Sequence, residues 1–272
     1  MSVSKPISRV THVVPHGRTS QVQNKQLVVG SEGYATTSPF LFLSEDWFAP
    51  PGGFEEHPHR GMQTVTFVLE GMLEHRDHTG AHGVLKAGDV QWMTAGHGVL
   101  HSEMPKGPVH TLQLWLNLPA KMKMIPARYQ DQRFDETPVR NLDAGLVRVY
   151  AGQSGEVKHG HGSDWPMWLL EFVFHRPGLL EQAVPADHRG FLYMIAGRAQ
   201  LAGRAVQAGD VAWFEPGAGG ALAIAPQAKC RALLFSGPPI DEPVVAYGPF
   251  VMNTKQEIEQ AFMDYQAGRL VA

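Results

Sequence analysis

The chain has a single cysteine in 272 residues, Cys230, which excludes an intramolecular disulfide framework and fits a reducing compartment. Charge is sparse and nearly balanced: 18% of residues are charged, and 23 Lys and Arg against 26 Asp and Glu leave a formal −3. No basic field exists to hold nucleic acid, so direct nucleic-acid binding is not expected. No apolar run approaches the roughly 18 residues of a membrane span, and Met1 to Thr19 lacks an apolar signal core. A soluble cytoplasmic protein is therefore expected, with no membrane partner. There is no Gly-x-Ser-x-Gly nucleophile elbow, the cysteine has no histidine nearby in sequence, and Gly96-His97-Gly98 is not followed by a helical run. Serine-hydrolase, cysteine-nucleophile and phosphate-loop chemistry are set aside on those grounds. Cys230 itself reads as a small buried apolar residue.

The chain is rich in other things. Hydrophobic residues make up 43%, enough for a substantial core. Gly 29 and Pro 20 suit many short strands joined by tight turns, and His 14 is high for a residue that binds metals and moves protons. The segment Ala87-Gly-Asp-Val-Gln-Trp92 recurs 121 residues later as Ala208-Gly-Asp-Val-Ala-Trp213. A strand-like run closing on a glycine precedes each copy, Thr64 to Gly71 and Gly190 to Gly197. Two landmarks in the same order indicate an internal duplication of an all-β unit. The boundary is expected in the polar stretch near Gln130 to Asn141, giving domains of residues 1–130 and 131–272. The last segment changes period. Thr254 with Glu257 forms a capping box, Ile258, Ala261, Phe262 and Tyr265 follow at helical spacing, and Gly268 can close the turn. A C-terminal amphipathic helix is expected over about 254–267, packed on one of the β domains.

Two segments concentrate the chemistry. In extended chain, residues i and i+2 share a face, so His57 and His59 form one converging pair and His101 and Glu103 another. If the two strands are neighbours inside a barrel, three imidazoles and a carboxylate meet at one point. That donor set suits Fe(II), Mn, Co, Ni, Cu or Zn better than Mg or Ca, and leaves two positions of an octahedral ion open. The competing reading, two solvated strand faces, is weakened because the pairs flank the first repeat copy and glycines leave space beside each. In the second copy the 121-residue offset puts Leu222 and Ile224 where His101 and Glu103 stand. His159 and His161 read as a loop pair without function. His75, His78 and His82 read as part of a solvated hairpin loop. Phe67, Trp92, Met93 and Trp115 read as core, some of them lining an apolar cavity.

Together His57-Pro-His-Arg-Gly61, Gly88-Asp-Val-Gln-Trp-Met-Thr-Ala-Gly96, His101-Ser-Glu-Met-Pro105, Leu112-Gln-Leu-Trp-Leu-Asn-Leu118 and Gly248-Pro-Phe-Val-Met-Asn-Thr254 resemble a pirin, a two-domain member of the cupin superfamily. The resemblance runs from about residue 12 through the C-terminal helix. It implies two stacked jelly-roll cupin barrels with one metal, usually iron, in the N-terminal barrel, held by His57, His59, His101 and Glu103. The general cupin pattern has a glutamate four or five residues after the second histidine. Gln63 and Thr64 stand there, and many pirins carry Glu at the position of Gln63. Gln63 is left as a pocket residue or as one that bonds a ligand, and His97 as a residue of the pocket rim.

The resemblance implies quercetin 2,3-dioxygenase activity, with a small aromatic chelator and dioxygen as substrates, release of carbon monoxide, and Glu103 taking the flavonol's 3-hydroxyl proton. The alternative it implies is a redox-sensing regulator, in which iron changes state and a transcription factor or metabolic enzyme is bound without turnover. A cupin isomerase or hydrolase using Zn or Mn is a third reading. A monomer is expected, since a second barrel can cover the face that a single-barrel dimer would bury.

Overall fold

The computed structural model describes residues 4–30, 33–160, 162–217 and 220–272. Short strands dominate, as the turn residues and alternating burial require. In chain order they begin β1 (Arg9–His12), β2 (Val14–Gly17) and β3 (Asn24–Val29); the short helix α1 (Tyr34–Thr37) follows. Next come β4 (Phe40–Phe48), β5 (Phe54–His59), β6 (Met62–Glu70), β7 (Met72–Asp77) and β8 (His82–Lys86). β9 (Val90–Thr94), β10 (Val99–Pro105), β11 (Val109–Asn117) and β12 (Arg128–Gln132) close the first half. The second half holds β13 (Val139–Leu142), β14 (Gly145–Ser154), β15 (Val157–His159), β16 (Trp168–Phe174), β17 (Leu180–Ala183) and β18 (Arg189–Ala196). It continues with β19 (Arg198–Leu201), β20 (Arg204–Gln207), β21 (Asp210–Phe214), β22 (Ala221–Pro226) and β23 (Cys230–Gly237). A hairpin, β24 (Val245–Tyr247) and β25 (Phe250–Met252), leads into α2 (Lys255–Gln266). Neither helix is long and apolar enough to cross a membrane.

The duplication is visible in the strand order. The first copy has a sheet containing β9-β6-β11-β4 and a second sheet β5-β10-β7-β8. The second copy has β21-β18-β23-β16 and β17-β22-β19-β20, the same neighbours in the same sequence. The turn glycines match as well: Gly71 and Gly197 have φ of +83° and +82°, and Gly88 and Gly209 +89° and +86°, values that L side chains rarely adopt. The fold is all-β, two cupin barrels of jelly-roll type with a C-terminal helix.

The division of the chain differs from the expected cut at residue 130. One compact unit joins Val14–Asp135 with Ile240–Ala272; the other joins the N-terminal residues through Val13 with Glu136–Pro239. The helix thus belongs with the first barrel rather than the second. Its buried Ile258 and Ala261 pack with Phe250, Met252 and Leu270, and Leu100 of β10 packs against that cluster. Position along the chain carries no record of such a return. The capping box forms as expected: Glu257 N donates to Thr254 Oγ1 at 3.2 Å, and Thr254 N donates to the Glu257 carboxylate at 2.8 Å. The second barrel is filled with apolar residues, among them Leu222, Ile224, Leu201 and Phe172. Cys230 joins that core, and burial pushes its thiol up to about 11.

The turn after β5 depends on the returning segment. Gly61 has φ +80°, and a Cβ there would lie 2.0 Å from the Val251 carbonyl oxygen, which is backbone and cannot yield. Gly61→Ala is expected to destabilise the chain by about 3 kcal/mol or more. Gly80, with φ +86° but open space around it, isolates the backbone cost alone: Gly80→Ala should lose only about 1 kcal/mol. Urea melts of the two variants test the contrast, and equal losses would rule out the steric account.

Candidate metal centre

β10 lies between β5 and β7, with His101 opposite His57. The period of two turns His57 and His59 to one face of β5, and His101 and Glu103 to one face of β10. The rings converge: centroids are 4.3 Å apart for His57 and His101, 4.8 Å for His57 and His59, and 5.0 Å for His59 and His101. One ring nitrogen from each lies within 4.8 Å of the others. Among the described residues this is the only group of three or more His, Cys, Asp or Glu so placed.

The second ring nitrogens are already committed. His57 Nδ1 lies 2.7 Å from the Glu55 carbonyl oxygen, His59 Nδ1 3.3 Å from that of Pro249, and His101 Nδ1 3.1 Å from Nε2 of His75. For His57 and His59, donating Nδ1–H to a carbonyl fixes the tautomer and leaves Nε2 its lone pair. His101 Nε2 is buried and has no hydrogen-bond partner. Burial also disfavours the charged ring: it lowers the pKa of His57, brings His59 down to about 3 and takes His101 well below its ordinary value. Three neutral imidazoles, of which His101 presents its buried, unpartnered Nε2 as a lone pair when its Nδ1–H donates to His75, fit a divalent transition metal.

Glu103 lies outside the trio. Its Oε1 is 2.9 Å from Thr66 Oγ1, its Oε2 accepts from Gln113 Nε2 at 2.8 Å, and Thr66 Oγ1 is 2.7 Å from Gln113 Oε1. With the carboxyl protonated, the three side chains close a ring in which every group both donates and accepts. Burial pushes the Glu103 pKa up to about 7, against the pull of the Thr66 and Gln113 bonds.

The C-terminal segment braces β5 from outside. The Arg60 carbonyl accepts from Val251 N at 3.0 Å. Its guanidinium donates from Nε to the His97 carbonyl and from Nη1 to Asp264 of α2 at 2.8 Å. Lys123, fully buried, donates to the carbonyls of Gly61 at 2.8 Å and Val251 at 3.1 Å and to Asn117 Oδ1 at 2.7 Å. Burial lowers its pKa to about 8. Beside the histidines a cavity of about 380 Å³ opens, walled by Phe42, Phe54, Trp115, Pro58 and Pro249. Glu103 and Gln113 line it too.

Several expected placements change. His75 is not in a solvated loop: it sits on β7, is fully buried, and bonds His101. The signal was the alternation of Leu73, His75 and Asp77 after the Gly71 turn, masked by charged neighbours. Gln63 is fully buried but donates to Thr94 on β9, and by parity faces away from Thr66 and the cavity. The Arg60–Gly61 turn breaks the alternation that would have kept it beside His59. His97 is not among the residues lining the cavity; its backbone is held by Ile125 and Arg60. Of the aromatics, Trp115 lines the cavity, whereas Phe67 and Trp92 are buried on the opposite face of the sheet. His159 ends β15, and His161 lies outside the described residues.

Two measurements follow. His75→Phe keeps the ring volume but removes the partner of His101 Nδ1; divalent-metal affinity should fall about 10- to 100-fold, with His75→Gln retaining more. Equilibrium dialysis reads the change, and unaltered affinity would remove His75 from the site. In metal-free protein the stability from protonated Glu103 is full below about 4.5 and lost as pH climbs through about 7. Relative to Glu103→Gln, wild type should thus lose about 3 kcal/mol between pH 4 and pH 8 in urea melts. The opposing histidine contributions are common to both proteins and cancel. A pH-independent difference would place the carboxyl at its ordinary value.

Comparison with known proteins agrees with this architecture. The Pirin family profile matches residues 17–116, and that of the Pirin C-terminal cupin domain residues 169–271. A pirin-like protein of Solanum lycopersicum is 40% identical over 246 residues, 89% of this chain and 84% of that one. The crystal structure of quercetin 2,3-dioxygenase from Acinetobacter baumannii is 29% identical with a TM-score of 0.90, covering 99% of this chain and all (100%) of that one. A bacterial pirin from Escherichia coli in complex with nickel(II) shares the fold at 22% identity and a TM-score of 0.67, covering 87% and 98%. With both halves matched in order and the relatives aligned over most of their length, this chain belongs to the pirin family.

Proposed function

We propose that the chain is a metal-dependent dioxygenase of the quercetin 2,3-dioxygenase type, with iron(II) held by His57, His59, His101 and Glu103. The observation that carries the reading is the convergence of three neutral imidazoles, with Nε2 of His101 buried and unpartnered, on one side of an apolar cavity. The dioxygenase name of the Acinetobacter baumannii relative supports the reaction type. Bound there, the metal would supply a redox-active Lewis acid for a flavonol's 3-hydroxylate and dioxygen. Overall, both dioxygen atoms enter the product, the central ring opens between C2 and C4, and C3 leaves as carbon monoxide.

The chain's own residues supply positioning and proton handling. Glu103, with a pKa near neutrality in the metal-free site, takes the 3-hydroxyl proton as general base. Leaving its ring with Thr66 and Gln113 frees one oxygen for substrate or metal, while Gln113 can keep hold of the other. Trp115, Phe42 and Phe54 offer aromatic faces to a planar substrate and exclude water from it.

Metal analysis of the purified protein, followed by quercetin turnover under oxygen with carbon monoxide detection, tests the reading. Iron near one per chain and stoichiometric carbon monoxide are expected. Glu103→Gln should keep much of the metal and lose turnover by about 100-fold or more; full activity in that variant removes the base assignment. Stoichiometric iron without turnover would replace the enzyme with a redox-sensing binding protein, and zinc would favour hydrolytic chemistry.

A further inference from the structure

The wall of the cavity beside the histidines carries a second polar pair, Lys25 and Asp46, outside the three converging rings. Lys25 on β3 stands in register with Asp46 on β4, and its Nζ lies 3.3 Å from Asp46 Oδ1. Ser44 Oγ donates to the other carboxylate oxygen at 2.7 Å. Asp46 is 1% exposed, whereas the Lys25 side chain keeps 21% of its surface, and both line the cavity. An aromatic wall joins this pair to the histidines. The His59 ring is 5.4 Å from Trp115, Trp115 is 5.4 Å from Phe42, and Lys25 Nζ stands 5.3 Å above the Phe42 ring.

An ion pair in such surroundings is costly to desolvate and seldom the most stable filling of the space. Its chemistry selects a partner. A ligand carboxylate would meet Asp46 with like charge, and a ligand cation would meet Lys25 in the same way. A neutral ring with adjacent hydroxyls satisfies both: one O–H donates to Asp46 while the neighbouring oxygen accepts from the Lys25 ammonium. The apolar wall between accommodates the planar body that links the two ends.

We propose that Lys25 and Asp46 bind the hydroxylated ring of the substrate, beyond Trp115 and Phe42 from the His59 ring, so that flavonols with adjacent hydroxyls on the pendant ring are preferred. The inference rests on the flavonol reading above and adds the residues that choose among flavonols. Both residues act on which substrate is held; Asp46 also helps to raise the Glu103 pKa through its charge, whereas Lys25 is not among the groups that shift it.

The test compares quercetin, which has two pendant-ring hydroxyls, with the flavonols that have one (kaempferol) and none (galangin). Each is titrated against metal-loaded protein under nitrogen by fluorescence quenching and then turned over under oxygen. In wild type, Kd should rise and kcat/KM fall by about tenfold for each hydroxyl removed. In Lys25→Met, the ranking should shrink to within about threefold, Lys25→Arg should retain it, and Asp46→Asn should behave as Lys25→Met does. Lys25 is surface-accessible, so its variants keep the test usable if the Asp46 variant fails to fold. Equal treatment of the three ligands by wild type, or a full ranking in Lys25→Met, overturns the proposal. A ranking in binding without any turnover supports the recognition site and sinks the dioxygenase reading. Turnover of all three at one kcat/KM keeps the dioxygenase and removes the recognition site, and failure to bind any flavonol removes both.

Discussion

The site depends on what holds the outer nitrogens of three imidazoles. An imidazole can rotate, flip or protonate, and a site with three of them is useful only if all three present a lone pair to one point. Here the Glu55 and Pro249 carbonyls and the His75 ring occupy the Nδ1 atoms, while burial keeps the rings uncharged. The two carbonyls come from widely separated points in the first unit's sequence: Glu55 lies on the same strand as His57, and Pro249 lies 190 residues beyond His59. The Arg60–Asp264 pair and the buried Lys123 ammonium hold that distant segment against the turn after β5. The C-terminal hairpin and helix thereby belong to the chemistry of the site as well as to the packing of the unit.

The two copies of the barrel show how little of the fold is tied to function. Both have the same strand order and the same positive-φ turns. In the first, the face of the small sheet that holds the site carries His57, His101, Glu103 and His75. In the second, the matching strands β22, β19 and β17 contribute Leu222, Ile224, Leu201 and Leu180 to an apolar core. A buried polar cluster is tolerable only when each member has a partner. The ring of Glu103, Thr66 and Gln113 meets that condition, and Gln91 bonds Asp131 on the next strand. The apolar filling is the simpler solution for stability; the polar one brings three imidazoles together.

Burial sets the acid–base character of the site in one direction for histidines and the other for Glu103. Desolvation removes charge from both, so imidazoles lose their protons and the carboxyl keeps its own. Three neutral imidazoles beside a carboxyl whose pKa burial raises to about 7 can bind a cation and take up a proton in the same small volume. Asp46 follows the same rule, its pKa raised by burial but restrained by Lys25 and Ser44.

Features that repeat at short range are legible in the residues alone. Alternation gave the strands and the shared face of His57 with His59 and of His101 with Glu103. Matched glycines revealed the duplication, and Thr254 with Glu257 fixed the start of the helix. The family was readable too, from uninterrupted runs such as those at His57 and His101. Whatever requires elements distant in sequence to meet is fixed by their packing. That packing put the helix on the first barrel, brought Pro249 to His59, and set Lys25 beside Asp46 in the wall of the cavity. It also turned His75 inward and Gln63 away, because register and the positive-φ turn at Gly61 assign faces that composition does not. Local periodicity is written in one strand, but the partner of a buried polar atom is chosen by the strand, turn or helix that packs against it.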